Sequence, residues 1–121
     1  MRLFSSREPL KKWSRARLVL LGDAAHPMLQ YAAQGAAQAL EDAHALVQAY
    51  KRHGLSNVDA VFNEYEQERI PRSSQVVQFA RSIGEFAHYD GPRKLVRDAM
   101  LRMRDINNYE FLHWLYGNKN Q

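Results

Sequence analysis

A mainly helical chain with one short strand is the fold this sequence predicts, on three observations. Only residues 17–22, RLVLLG, read as a strand: the run is short, continuously apolar and closed by glycine. From Ala36 onward the apolar residues recur at the 3.6-residue period of a helix with one covered face. Gly54, Pro71, Gly91 and Pro92 then divide that pattern into three or four helices. A length of 121 residues is that of one domain.

Taken in order, residues 1–13 lack periodicity, and Pro9 disfavours a helix there. The strand 17–22 is apolar throughout, as a strand buried on both faces would be. A lone strand of that kind cannot satisfy its own backbone groups, so partners in a larger sheet are expected. A loop over 22–35 follows, and then a helix with Ala36, Leu40, Ala43, Val47 and Tyr50 on one face, ending near His53 and Gly54. Ser56 and Asn57 precede a second helix with the stripe Val58, Val61, Phe62 and Tyr65, which Pro71 is expected to break or kink. Val76, Phe79, Ala80, Ile83 and Ala87 resume the stripe. Pro92 opens a further helix with Leu95, Val96, Ala99 and Met103 on its apolar face. Tyr109, Phe111, Trp114 and Tyr116 close the chain as expected core aromatics.

Composition excludes several classes. Hydrophobic residues at 45% and charged residues at 25% describe a globular chain rather than a disordered or fibrous one. The net charge of +4 is blocked. Residues 1–17 hold six basic residues and one acid, 18–68 two and seven, and 69–104 eight and three. Interleaved with apolar residues, such blocks are solvated faces, and no nucleic-acid partner is expected. No apolar run nears the ~20 residues of a membrane span. MRLFSSREPLKKW lacks the apolar core of a secretory signal. The absence of cysteine rules out disulfides, thiolate metal sites and a thiol nucleophile, and with the rest points to the cytoplasm. Glu41 and His44 have the Glu-x-x-His spacing of di-metal bundles, but with Asp23, His26 and Asp42 they are not expected to form a metal site. No serine has the setting of a nucleophile elbow.

The stretch that carries chemistry is LLGDAAHPMLQYAAQGAAQALEDA, residues 20–43. It reads as a strand, a Gly-Asp at the strand's carboxyl end, and a small-residue loop opening a helix. Ligands in α/β proteins sit beyond the carboxyl ends of strands, and the Asp23 carboxylate suits hydroxyl groups such as those of a sugar or ribityl chain. Gly35 lets backbone approach a ligand closely, and free N–H groups at the helix start favour negative charge. The bland reading, a plain strand–turn–helix with Asp23 as a turn residue, stands beside the ligand reading on the residues alone.

GDAAHPMLQYAAQGAAQALEDA resembles the second flavin-binding motif of the FAD-dependent aromatic hydroxylases, single-component flavoprotein monooxygenases, and most of all their salicylate hydroxylase branch. REPLKKWSRARLVLLGDAAH at 7–26, YEQERIPRSSQVV at 65–77 and FLHWLYG at 111–117 resemble the C-terminal part of that branch, in the same order. The resemblance implies the C-terminal piece of an α/β, Rossmann-like FAD/NAD(P)-binding fold. By it, Asp23 would hydrogen-bond the FAD ribityl hydroxyls, Gly35, Ala36 and Ala37 would open the helix whose N–H groups face the N1/O2 edge of the isoalloxazine, and Gly22 and Gln34 would also belong to the cofactor site. Gln30 stands where the family usually has proline, in the loop on the substrate side of the flavin. Ala37 stands where asparagine is common.

The implied activity is hydroxylation of a small aromatic substrate with NAD(P)H and O2. No residue of this chain is assigned as an acid or base, because the cofactor carries the chemistry. No GxGxxG for the ADP half of FAD occurs here. The chain is therefore expected to be a fragment, inactive alone, and to associate into a homo-oligomer or through exposed apolar surface. The alternative is a non-catalytic helical module that binds a partner protein or an acidic polymer.

Overall fold

The computed structural model describes residues 8–116. Arg7 and Gly117, at the ends of two of the resembling stretches, lie outside the described residues, as does most of the aperiodic N-terminal segment. The chain divides into two compact units, Met1–Gly84 and Glu85–Gln121.

In the first unit the predicted single strand is replaced by a small hairpin. Strand β1, Ser14–Arg15, pairs antiparallel with β2, Leu18–Val19, in the register Ser14 to Val19 and Arg15 to Leu18. Ala16 turns the chain at φ 52°, and Leu20 N–H donates to Trp13 O at 2.9 Å. Contrary to the expectation of a strand buried on both faces over 17–22, Leu18 is 78% exposed. Two residues per strand leave too little ladder to carry a covered sheet.

Helix α1 spans Gly35–His53 and stops at Gly54, as its pattern predicts. Helix α2 spans Val58–Ala87, with Ala60 N–H donating to the Asn57 side chain at its start. Pro71 neither ends nor divides α2. The residue is exposed, and the buried stripe Val61, Tyr65, Arg69, Ser73, Val76 and Ala80 runs past it on one face. Packing along that stripe outweighs the missing N–H.

Trp13, Ala25, Ala45 and Tyr65 form one core cluster, flanked by Leu10, Val19, Leu46 and Ile70; Ala49, Val61 and Phe62 form a second. α2 also grips the hairpin. Tyr65 O–H donates to Leu20 O at 3.2 Å, and the Glu66 carboxylate accepts from Trp13 N–H at 2.7 Å and Ser14 N–H at 2.5 Å.

Of the apolar face predicted for α1, Tyr50 packs on the second cluster, but Ala36, Leu40, Ala43 and Val47 are exposed, Leu40 at 74% and Val47 at 50%. The buried face carries Gln38, Asp42, Ala45 and Ala49 instead. That face turns inward because it meets the buried guanidinium of Arg69 on α2.

In the second unit α3 spans Gly91–Met103, with Pro92 in its first turn, and buries no side chain, so its stripe of Leu95, Val96, Ala99 and Met103 is uncovered. A turn at Glu110–Leu112 leads into the short α4, His113–Tyr116. Four residues cannot present one continuous face. Leu115 buries, whereas Tyr109, Phe111, Trp114 and Tyr116 stay exposed, against the expectation of core aromatics.

Glu66→Ala removes the carboxylate that holds β1. Its two charge-assisted hydrogen bonds predict a loss of roughly 1.5–3 kcal/mol, read as a lower urea midpoint.

Candidate functional site

The site is built where the hairpin meets α1. Gly22 opens a 3-10 turn, Gly22–Ala24, at φ +60°, and a Cβ there would stand 3.2 Å from the Ala39 Cβ of α1. Both facts demand glycine: the backbone is left-handed and the helix is close. The turn leaves Asp23 exposed. A Cβ built on Gly35 would lie 3.8 Å from Asp23 Oδ1, so the carboxylate stands beside the first turn of α1. That turn holds no acidic residue and no side-chain cap. The first N–H groups of a helix have no intrahelical partner, so a 19-residue helix here presents bare donors and the positive end of its dipole. Ala36 and Ala37 are exposed and keep bulk away from them.

The predicted site residues therefore separate into two kinds. Asp23, Gly35, Ala36 and Ala37 come together at an accessible edge. Gly22 and Gln34 are buried. The Gly22 N–H is occupied by the Asp42 carboxylate at 3.0 Å, and the Gln34 side chain accepts from Gln38 Nε2 at 3.5 Å. Their contribution is to backbone placement. Gln30 is exposed on a separate 3-10 turn, Gln30–Ala32, which ends at Ala33 in the left-handed region at φ 50°.

What the sequence reading missed is the support beneath this edge. Arg69 of α2 is 1% exposed. Its Nε donates to Asp42 Oδ1 at 2.7 Å, Nη1 to Glu41 Oε2 at 2.6 Å, and Nη2 to Gln38 Oε1 at 2.8 Å. The other oxygen of Asp42 accepts from Gly22 N–H and from His26 Nε2, the latter at 2.5 Å. A carboxylate only accepts, so His26 Nε2 carries the proton. His26 packs against Trp13, with ring centroids 5.4 Å apart, in the structural role its loop position suggests. A usable signal did exist: Arg69 falls on the Tyr65, Ser73, Val77 stripe, where a cation must have partners.

Burial pushes the Asp42 carboxyl up, but hydrogen bonds from His26, Arg69 and Gly22 outweigh it and hold the group below its ordinary value. Burial opposes Glu41 likewise, and Arg69 and Arg72 bring it down. Glu41 and Asp42 thus meet the Arg69 guanidinium, His26 bonds to Asp42, and His44 is exposed. Glu-x-x-His spacing recurs at Glu85/His88 and Glu110/His113. Among the described residues no group of three or more His, Asp or Glu is arranged to hold a metal ion. No helix among them is long and apolar enough to cross a membrane.

Arg69→Met takes the guanidinium from the buried Asp42 and leaves it only its bonds from Gly22 and His26, at an expected cost of about 3–5 kcal/mol in urea unfolding. A carboxyl held below its unfolded value lends stability that is complete above that value and lost as pH falls through the native one. Unfolding free energy should therefore stay level from pH 7 to about 5 and drop below about pH 4, with a shallower acid slope in Asp42→Asn, as urea titrations at each pH would measure.

Residues 4–80 match the family model described as FAD binding domain. The chain is 40% identical over 114 residues to 3-hydroxybenzoate 6-hydroxylase 2 of Aquipseudomonas alcaligenes, covering 93% of this chain and 35% of that protein. It is 44% identical over 107 residues to 3-amino-4-hydroxybenzoate 2-monooxygenase of Streptomyces cremeus, covering 88% and 26%. Over 70 residues it is 51% identical to 6-hydroxynicotinate 3-monooxygenase of Bordetella bronchiseptica, covering 58% and 18%. The chain thus spans about a third or less of the length of these relatives. Matched by that family model over residues 4–80, the chain belongs to the FAD-binding-domain family.

Proposed function

We propose that this chain is the ribityl- and ring-edge-binding part of an FAD-dependent monooxygenase that hydroxylates a small aromatic substrate with NAD(P)H and O2. The observation that carries the reading is the juxtaposition of Asp23 with the bare first turn of α1 across Gly35. The Asp23 carboxylate accepts hydrogen bonds from ribityl hydroxyls. The backbone N–H groups of Gly35, Ala36 and Ala37 face the N1/O2 edge of the ring system, where a positive helix end stabilises the negative charge that reduction brings. Gly22 and Gln34 set the backbone on either side, and Gln30 stands on the substrate side. FAD, when bound, supplies the redox chemistry that joins NAD(P)H oxidation to oxygenation of the ring. The chain's residues bind and orient, and no catalytic acid or base is assigned among them.

The names of the three relatives support an aromatic ring as substrate. In this reading the hairpin and α1 belong to a larger Rossmann-like α/β fold, whose further layers cover Leu18, Leu40 and Val47, each at least half exposed here. By itself the chain is inactive, and it associates through that apolar surface, into a homo-oligomer or with the remainder of the fold. A cytoplasmic location goes with the reading.

The test is FAD titration of the purified chain, followed by flavin fluorescence. Contacts to half of a cofactor predict a Kd weaker than about 1 μM. Asp23→Ala should raise it at least about tenfold, the equivalent of one hydrogen bond to a charged group. Equal affinity in both proteins would remove Asp23 from the site.

A further inference from the structure

We propose that Gly84 is a positioning residue for the Gln30–Ala32 turn, and through that turn a determinant of which aromatic ring is accepted. Gly84 lies within α2 and is buried. A Cβ built on it would stand 2.4 Å from Tyr31 Cε2, 2.5 Å from Cδ2 and 3.2 Å from Cζ. One edge of the Tyr31 ring thus occupies the space in which any other residue would carry its β-carbon. Gly84 has no left-handed φ to explain it, and glycine weakens a helix interior relative to alanine. Space for the ring is what the position requires.

The turn has reason to need this seat. Tyr31 is its central residue, Ala33 N–H closes it onto Gln30 O at 2.9 Å, and Ala33 takes the left-handed conformation that alanine disfavours. A ring held against α2 fixes a backbone that its own residues do not favour. Gln30 is the neighbour of that ring and shares its turn. The claim on selectivity rests on the proposed function, in which this turn lines the substrate side of the flavin; the claim on position does not. With a β-carbon at residue 84 the ring must leave, and the turn loses its anchor.

The experiment compares the purified wild-type chain with Gly84→Ala, Tyr31→Leu and the double variant by amide hydrogen exchange and mass spectrometry. Gly84→Ala and Tyr31→Leu should each speed exchange in the peptide over 29–34 by about tenfold, with protection of the α1 interior unchanged. The double variant should equal Tyr31→Leu alone, because the two residues act through one contact. Unchanged exchange in that peptide, or additive effects, overturns the proposal. If Gly84→Ala loosens the whole chain, Tyr31→Leu decides, since it leaves the α2 backbone intact: a turn as protected as in the wild type overturns it. A second arm adds FAD in excess and titrates 3-hydroxybenzoate as probe, read by flavin absorbance. Gly84→Ala should weaken its binding about tenfold at equal bound flavin, and equal binding overturns the selectivity claim. A wild-type chain that binds flavin but shows no response to the probe overturns the selectivity claim alone; the proposed function is decided by the FAD titration, and the exchange result decides what Gly84 holds.

Discussion

One buried cation organises the first unit. Removing a guanidinium from water costs several kcal/mol unless its donors are met, and Arg69 meets that cost with three side chains of α1: Gln38, Glu41 and Asp42. The rotation of α1 about its own axis follows, because the face that serves Arg69 must turn inward. Asp42 then spends its second oxygen on Gly22 N–H and His26, so the turn that presents Asp23 is tied to the same charge. The accessible edge of the site stands on an inaccessible electrostatic knot.

This explains where the sequence could and could not be read. Helix positions and ends in α1 were legible because they depend on local periodicity and on Gly54. The buried face of α1 was not, because apolarity favoured Leu40 and Val47 while the protein buries Gln38 and Asp42. Hydrophobic patterning has no term for a cation one helix away. The strand 17–22 was misread for a related reason: a continuous apolar run argues for burial on both faces, but two residues per strand make no sheet to cover, and Leu18, Leu20 and Leu21 stay exposed. By contrast, Asp23 and Gly35 were legible as a pair, since a turn followed by a small-residue helix start is local chemistry. The part played by Gly84 was out of reach, because nothing near it in sequence names Tyr31.

Helix α2 is the element these parts share. Glu66, which grips β1, and Gly84, which seats Tyr31, stand eighteen residues apart, or roughly 27 Å of helix. Arg69 stands between them. The helix continues through the exposed Pro71, so three contacts to three different segments lie on one element.

The two units answer to different solution variables. Within the second, α3 buries nothing, and thirteen residues is a marginal length for a helix in water. Its order leans on surface charge. Lys94 pairs with Asp98 at 2.6 Å, in the less favourable sense along the helix, and Arg97 reaches Asp98 and the carbonyl of Ala87. Such pairs weaken as the screening length falls from roughly 8 Å in physiological salt to 3 Å at 1 M, whereas the desolvated pairs around Arg69 are screened much less. Ionic strength is thus a means of loosening one half of this chain while the other stays closed.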